Sequence, residues 1–452
     1  MTSILGISAF YHDSAAATVV DGKIIAAVQE ERFSRKKHDS RYPFNAVNYV
    51  LEASNLKLNK IDYIVFFEKP FLKFERLIET YVAFAPKGFK SFCMSMPIWL
   101  REKLFQKKFL FEKLKQHDDN FDDINKIYFS EHHYSHAASA FYPSPFKDAV
   151  ILTLDGVGEW ATTTIAIGNG NEIKMLKEIH FPHSIGLLYS AFTYFLGFKV
   201  NEGEYKLMGL ASYGKPKYYD LILNNLIDVK EDGSIHLDMK YFAFTYDKVM
   251  TNTRFSKLFG IEPRKKDEKI EQIHFDIGAS AQKVLEDILL KMANHVYEKT
   301  KMKNLCLGGG VALNGVANYR LFKEAPFDNL HIPPSPGDAG SAVGCAQYLY
   351  YIYHKNQRVI EKDQSKVIAE NIYVGPTYTN DVIQTFLDTN KIKYEKLDSE
   401  KLLKQTAQLI SDGNIVGWYQ GKMEWGPRAL GCRSILADPR KSEMKDILNE
   451  KI

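Results

Sequence analysis

The chain has 452 residues, more than one hydrophobic core usually holds, so two or three domains are expected. Apolar residues make up 45% and aromatic residues 13%, the composition of an ordinary globular protein. A net charge of +4 is too mild to mark a nucleic-acid surface, and the most apolar stretch, Tyr81–Leu100, is broken as a membrane span by Pro86, Lys87 and Lys90.

Met1 leads straight into the strand-like ILGISAF, which predicts no signal peptide, and YHDSAA follows as a polar turn. ATVVDGKIIAAVQEER reads as a hairpin closed by Asp21-Gly22. Asn45–Ala53 and Phe71–Tyr81 have helical periodicity, with the strand IDYIVFF between them. The basic stretch Lys87–Lys115 is interleaved with Phe, Leu and Trp, which predicts a solvated helical face or a lid near an anionic or sugar substrate. AVILTLDGVGEW (Ala149–Trp160) is a buried strand ending in an acidic turn, and a second hairpin is expected around Gly168-Asn169-Gly170. Two strand–acidic-turn–hairpin units predict a duplicated α/β domain, a layout that resembles the actin/sugar-kinase/Hsp70-like superfamily.

Lys215–Lys269 is polar and irregular and predicts a surface excursion. Beyond it Ile277, Val284, Leu285, Ile288, Leu289, Met292 and Val296 line one face of a helix. The strand NLCLGGG, a helix from about Leu313, the strand LHIPP, the loop SPGDAG and the helix AVGCAQYLYYIYH then alternate. Charge rises and the apolar pattern lapses at Gln357–Ile368, which places a domain boundary between 1–356 and 369–452. The second unit is expected to hold a helix around Asp381–Leu387, a strand near Ile392–Leu397, a helix Lys401–Ser411, the strand NIVGWYQG and a terminal helix EMKDILNEKI. Cys93, Cys306, Cys345 and Cys432 show no paired spacing and read as reduced cysteines of a cytoplasmic protein.

His132 and His136 stand four residues apart in FSEHHYSHAASAFYPSP, so both imidazoles share one helical face, about 5–6 Å apart at Cβ. That spacing suits a shared metal, although a histidine pair without a ligand has the same pattern. Asp338 in SPGDAGS and Asp155 in LTLDGVGE would complete an N₂O₂ set suited to Fe(II), Zn(II) or Mn(II) rather than Mg²⁺; a helix N-cap is the alternative for Asp338. His12 beside Asp13 is a general-base arrangement or a turn-capping pair. Gly308, Gly309 and Gly310, between a strand and a helix, either admit a phosphate or ribose, with Asn314 donating to a sugar or base, or serve tight β–α packing. In SPGDAG, Gly337 precedes Asp338; in NEGEYKLMGLA, Glu204 and Lys206 flank Tyr205 and either close on a ligand or form a surface turn. Lys422, Arg428 and Arg433, among glycine, tryptophan and proline, read as an anion site.

YHDSAAA, QEERFSRKKHD, HHYSHAASAFYPSPF, LDGVGEW, NEGEYKLMGLA, LGGGVALNG, PPSPGDAGSAVG and GPRALGCRSILADPR, in this order, resemble the NodU/CmcH-type O-carbamoyltransferases from Ile4 to about Arg440. The resemblance implies an N-terminal duplicated domain similar to the tRNA threonylcarbamoyl transferases, and a smaller α/β domain similar to the threonylcarbamoyl-AMP synthases. It implies metal ligation by His132, His136 and Asp338 with Asp155 as a further contact, Fe(II) first among the candidates, and His12 as base for the acceptor hydroxyl. Lys206, Gly308, Gly309, Gly310, Asn314 and Gly337 would face ATP, and Lys422, Arg428 and Arg433 would bind carbamoyl phosphate and ATP, with Mg²⁺ accompanying the nucleotide. Carbamoyl-adenylate would form first and then pass its carbamoyl group to a hydroxyl-bearing acceptor, expected against the helices of Phe71–Lys115. No nucleic-acid or membrane partner is implied, and a homodimer is compatible. Family members continue well past Ile452, which marks the chain as truncated. Threonylcarbamoyl transfer to tRNA and a non-catalytic nucleotide-binding regulator are the alternatives.

Overall fold

The computed structural model describes residues 1–100, 104–360 and 370–451. β1 (Ser3–Ser8), β2 (Ala15–Val20) and β3 (Lys23–Gln29) form an antiparallel meander. Asp21 and Gly22 turn it with φ of 46° and 82°, the left-handed pair a two-residue hairpin requires. The short helix α1 (Glu31–Ser34) and α2 (Phe44–Ala53) follow, and α2 buries Ala46, Val47, Val50 and Leu51 at helical spacing. β4 (Tyr63–Phe66) and β5 (Ile127–Phe129) add in parallel beside β1, with α3 (Pro70–Ala83), α4 (Phe89–Ile98) and α5 (Gln106–Lys115) inserted between them. The first sheet thus runs β3-β2-β1-β4-β5.

After α6 (His132–Phe141), a second meander forms from β6 (Asp148–Leu154), β7 (Ala161–Asn169) and β8 (Glu172–His180). Its turn falls on Gly170-Asn171, slightly beyond the expected position. Then come α7 (Ile185–Phe195), α8 (Glu204–Ala211), α9 (Tyr219–Asn225), the hairpin β9 (Ile227–Val229) and β10 (Ile235–Leu237), α10 (Thr253–Phe259) and the long α11 (Gln272–Thr300). β11 (Asn304–Gly308), α12 (Gly315–Glu324), β12 (Asn329–His331) and α13 (Ser341–Tyr348) complete this part, with β11 parallel to β6 and β12 parallel to β11. Read from its meander edge the second sheet is β8-β7-β6-β11-β12, the strand order and pairing sense of the first. The architecture is an α/β fold with two five-stranded sheets of the same strand order.

Two expectations are corrected. Lys215–Lys269 is not a surface excursion: Ile222, Leu226, Phe242, Phe255 and Phe259 are buried in one core with α7 and α11, and Phe195 and Phe255 meet at 4.8 Å between ring centroids. Widely spaced aromatics among polar residues hid that core from any periodicity. No strand forms at 392–397, where Ile392 and Tyr394 are exposed and no neighbouring strand supplies a ladder. The later elements include helices Asn380–Thr389 and Ser399–Ser411, the antiparallel pair β13 (Val416–Tyr419) and β14 (Arg433–Leu436), and a helix Met444–Lys451.

The boundary expected at Gln357–Ile368 lies outside the described residues from 361 onward. Its described beginning is tightly held. The Arg358 guanidinium donates to the carbonyls of Phe141, Tyr142, Ser144 and Phe146 at 3.1, 3.0, 2.6 and 2.8 Å, capping the last turn of α6.

Three imidazoles outside the cleft make the fold acid-sensitive. Burial pushes His117, His183 and His331 from 6.5 down to about 4. Between those values the unfolded chain binds more protons than the folded one, so stability is intact above pH 6.5 and falls as pH drops toward 4. The urea midpoint is expected to fall as pH drops from 6.5 to 4.5, and a constant midpoint over that range would contradict this account.

Candidate functional site

The polar residues of the cleft sit at the carboxyl ends of parallel strands, where backbone N–H groups and following helices leave an open crevice. His12 and Asp13 follow β1, Glu68 follows β4, His132 and His136 follow β5, Asp155 follows β6, and Asp338 stands on a 3₁₀ turn after β12. His132 opens α6 and His136 lies one turn further along it.

Four of these groups converge, their ligand atoms all within 4.8 Å of one another. His132 Nε2 lies 3.0 Å from both His136 Nε2 and Asp155 Oδ2. Asp338 Oδ1 is 3.6 Å from His132 Nε2 and 3.5 Å from His136 Nε2, and His136 Nε2 is 3.6 Å from Asp155 Oδ2. Donors bound at about 2.0–2.2 Å around one ion stand about 3.0–3.5 Å apart, so this N₂O₂ set fits a divalent cation. Two imidazole nitrogens facing each other at 3.0 Å need a shared proton or a shared cation between their lone pairs.

The surroundings complete the fit. Ser341 Oγ lies 3.2 Å from His136 Nδ1, and Asp155 Oδ1 accepts the Gly310 N–H at 3.0 Å. His132 Nδ1 is buried without a hydrogen-bond partner, 4.0 Å from Glu68 Oε2. Glu159, also buried, accepts the backbone N–H groups of His132 and Lys69 and so neutralises the start of α6. Glu68 and Glu159 carried no role in the sequence reading, although an acid directly after a buried strand, as in VFFE, was a signal for the first of them.

Charge in the cluster is tightly linked. Burial disfavours the Asp155 carboxylate, but hydrogen bonds from His132 and His136 overcome it and hold the group well below the usual range. Burial likewise opposes the His136 imidazolium, yet Asp155 and Asp338 raise it to about 9. His12 is raised to about 9 in the same way: burial works against it, while Asp338 and Asp13 win. Its Nδ1 meets Asp13 Oδ2 at 2.9 Å and its Nε2 faces Asp338 Oδ2 at 3.5 Å. Asp13 in turn meets His38 Nδ1 at 2.9 Å. Phe10 and Asp13 hold φ of 75° and 52°, so this turn carries backbone strain, and the Phe10 and Ser14 N–H groups pin it to Ser40 and Asp39.

The remaining predicted residues divide. Gly308, Gly309 and Gly310 stand beside the cluster where the backbone packs closely: a Cβ at Gly309 would stand 2.2 Å from the Leu154 carbonyl oxygen, and one at Gly308 2.9 Å from that of His136. Gly337 immediately precedes Asp338. Asn314 is buried, caps α12 by accepting from Ala317 N, and exchanges hydrogen bonds with Gln282, so its amide serves the fold. Lys206 is exposed on α8. Arg433 pairs at 2.9 Å with the buried Glu424, which also accepts three backbone N–H groups, so the expected anion site already contains a carboxylate. Lys422 is exposed, and Arg428 donates to the Leu313 carbonyl at 2.7 Å, bringing this loop against the glycine turn.

Comparison with known proteins identifies the family. The carbamoyltransferase N-terminus family matches residues 3–347 and the carbamoyltransferase C-terminus family matches residues 407–452. An uncharacterized protein of Synechocystis sp. is 52% identical over 455 residues, covering 100% of this chain and 74% of that protein. Nodulation protein NolNO of Sinorhizobium fredii is 34% identical over 446 residues, covering 97% of this chain and 60% of that protein. Among solved structures, component A of (R)-2-hydroxyglutaryl-CoA dehydratase from Acidaminococcus fermentans covers 77% of this chain and 98% of its own at 14% identity and a TM-score of 0.40, a likeness too slight to bear on the chemistry. Among the described residues no helix is long and apolar enough to cross a membrane. With both family regions matched in order around a buried His₂Asp₂ cluster, the chain belongs to the carbamoyltransferase family, enzymes of ATP-dependent carbamoyl transfer.

Proposed function

We propose that the chain makes carbamoyl-adenylate from carbamoyl phosphate and ATP and then moves the carbamoyl group to a hydroxyl of a sugar-like acceptor. In this reading residues 1–356 are two duplicated halves that carry out transfer, and 369–452 begin a threonylcarbamoyl-AMP-synthase-like unit. The shared strand order of the two sheets supports the first assignment. The convergence of His132, His136, Asp155 and Asp338, with His12 Nε2 at 3.5 Å from Asp338, carries the reading.

In the first step water cleaves carbamoyl phosphate to carbamate and inorganic phosphate, the carbamate oxygen attacks the α-phosphorus of Mg-ATP, and pyrophosphate leaves. Lys422, Arg428 and Arg433 are the cations assigned to the phosphates, which would require Arg433 to share its guanidinium between Glu424 and the anion. In the second step the acceptor oxygen attacks the carbamoyl carbon, AMP leaves with the electron pair, and the hydroxyl proton goes to His12 Nε2.

When bound by this donor set, a divalent cation, Fe(II) first with Zn(II) or Mn(II) as alternatives, supplies Lewis-acid polarisation of a carbonyl oxygen. Asp338 and Asp13 both favour the His12 imidazolium, and a cation held by Asp338 would weaken one of these pulls and favour the neutral, proton-accepting ring. Asp13 keeps Nδ1 protonated and so leaves Nε2 as the accepting nitrogen. Lys206 and the Gly308–Gly310 turn with Gly337 are assigned to the nucleotide side of the cleft.

Label exchange from pyrophosphate into ATP is expected only when carbamoyl phosphate is present. With water as the acceptor, added carbamoyl-adenylate is expected to release AMP at a rate that falls by at least about 100-fold in His12→Ala, the usual range for a lost general base. Absence of both exchange and AMP release would overturn the assignment.

A further inference from the structure

Beside His12 the cleft presents an aromatic residue that no step above uses. Tyr11 is 50% exposed, and its ring centroid lies 4.6 Å from that of His12. Its hydroxyl accepts from Asn201 Nδ2 at 3.3 Å, so the loop before α8 reaches across to the turn after β1. Asn201 holds a left-handed φ of 64°, and its N–H donates to Glu204 Oε1 at 3.0 Å. Lys73, anchored at 2.7 Å to the buried Glu68, places Nζ 5.2 Å from the Tyr11 centroid. On the neighbouring helix, Tyr205 is 46% exposed, with Lys37 Nζ 4.6 Å from its ring centre. An aromatic half open to water yet held by its hydroxyl and flanked by a fixed cation is ordered before any ligand arrives.

We propose that Tyr11, braced by Asn201 and Lys73, is the platform for the acceptor, and that it stacks a neutral or acidic saccharide ring so that one ring hydroxyl meets His12. The proposal rests on the carbamoyl-transfer reading and adds the charge of the saccharide and the residue that binds it. The hydroxyl that attacks must lie at His12 Nε2, and the ring bearing it therefore lies within a few ångströms of the adjacent tyrosine. The C–H face of a pyranose is apolar with a slight positive edge and suits an aromatic face, while its hydroxyl rim suits Asn201 and Lys73. Nearby negative charge is already matched: Glu68 by Lys73, and Asp13 by His12 and His38. With these acids paired, Lys37 over the Tyr205 ring is a cation that repels a polycationic amino sugar more than a neutral or acidic glycan. Within the stretch Phe71–Lys115 expected to hold the acceptor, Lys73 and Arg76 on α3 lie at this mouth, and Phe109 of α5 packs on Phe10 beside Tyr11.

Ligand-observed NMR of the whole chain with cellotetraose, tetragalacturonate and neomycin tests this. The neutral or the acidic tetrasaccharide is expected to bind more tightly than neomycin. Tyr11→Ala and Tyr11→Leu are expected to weaken that binding about tenfold, and Tyr11→Phe by less than about threefold, because the ring supplies most of the contact. Thermal midpoint and metal content serve as folding controls, and Tyr11→Leu keeps the bulk should the alanine variant fold poorly. Preference for neomycin, no binding of either glycan, or unchanged affinity in the folded leucine variant overturns the platform. AMP release from carbamoyl-adenylate by the same wild-type preparation reports the transfer reading separately: release without glycan binding removes the platform alone, and binding without release removes the transfer assignment.

Discussion

His136→Ala is expected to leave the purified protein with less than about a tenth of the metal held by the parent chain, and to lower AMP release from carbamoyl-adenylate by more than about 100-fold. The size follows from position: even the outer partners of a metal-bound imidazole change affinity by about 10–100-fold, and His136 supplies a ligand nitrogen itself. Its imidazole is fully buried, so alanine leaves a cavity where the ligand nitrogen stood, and a water there would be a weaker donor than the imidazole. His133→Gln is the matched control. His133 is equally buried in the same turn, but its Nδ1 pairs at 2.7 Å with Thr153 Oγ1, away from the cluster. Metal is expected to remain in that variant. Elemental analysis of the two proteins side by side decides the matter, and stoichiometric metal in His136→Ala would remove that residue from the site.

Gly344→Ala should destabilise the fold and weaken metal retention, although alanine is the better helix former by about 1 kcal/mol. Gly344 lies within α13, where α13 crosses α6, and a Cβ there would stand 1.8 Å from the Ser135 carbonyl oxygen and 3.0 Å from Ser139 Cβ. The other side of α13 offers no retreat, since a Cβ on Gly6 of β1 would stand 1.9 Å from the Ala342 carbonyl oxygen. The two helices must therefore separate. α6 carries His132 and His136, while Asp338 precedes α13, so separation pulls the ligands apart. Overpacking of this kind costs about 1–3 kcal/mol, more than the gain in helix propensity, and the net sign is destabilising. A lower urea midpoint together with lower metal affinity is the expected result. A variant as stable and as metal-replete as the parent would show that the helix crossing does not set the ligand spacing.

Much of the site was legible from side-chain chemistry and local spacing. The HxxxH pair implied one helical face, and the acidic turns after AVILTL and before SAVG implied strand or loop ends, where polar groups collect in α/β folds. The Asp21-Gly22 hairpin was legible because two left-handed residues have few sequence solutions. Residues whose role depends on a distant partner were not legible. Asn314 has the chemistry of a ligand donor, yet Gln282, 32 positions earlier in the chain, takes up its amide. Glu424 was overlooked beside the arginines it neutralises, and Arg358 looked like the start of a linker because its four carbonyl partners lie more than 200 residues earlier.

The sequence by itself determined the kinds of groups in the centre, the order of the β–α units that carry them, and the resemblance to carbamoyltransferases. Those features depend on residue identity and short-range periodicity, which a chain displays without folding. The spacing singled out His132 and His136, but only the tertiary structure brought their ring nitrogens within reach of Asp155 and Asp338, and showed that glycines at helix and strand crossings hold the cluster together. The same is true of Tyr11, which only the fold places half exposed beside His12 under the reach of Asn201. Which of several chemically equivalent side chains meets a partner is a matter of distances between segments far apart in the chain, and those distances are set by packing.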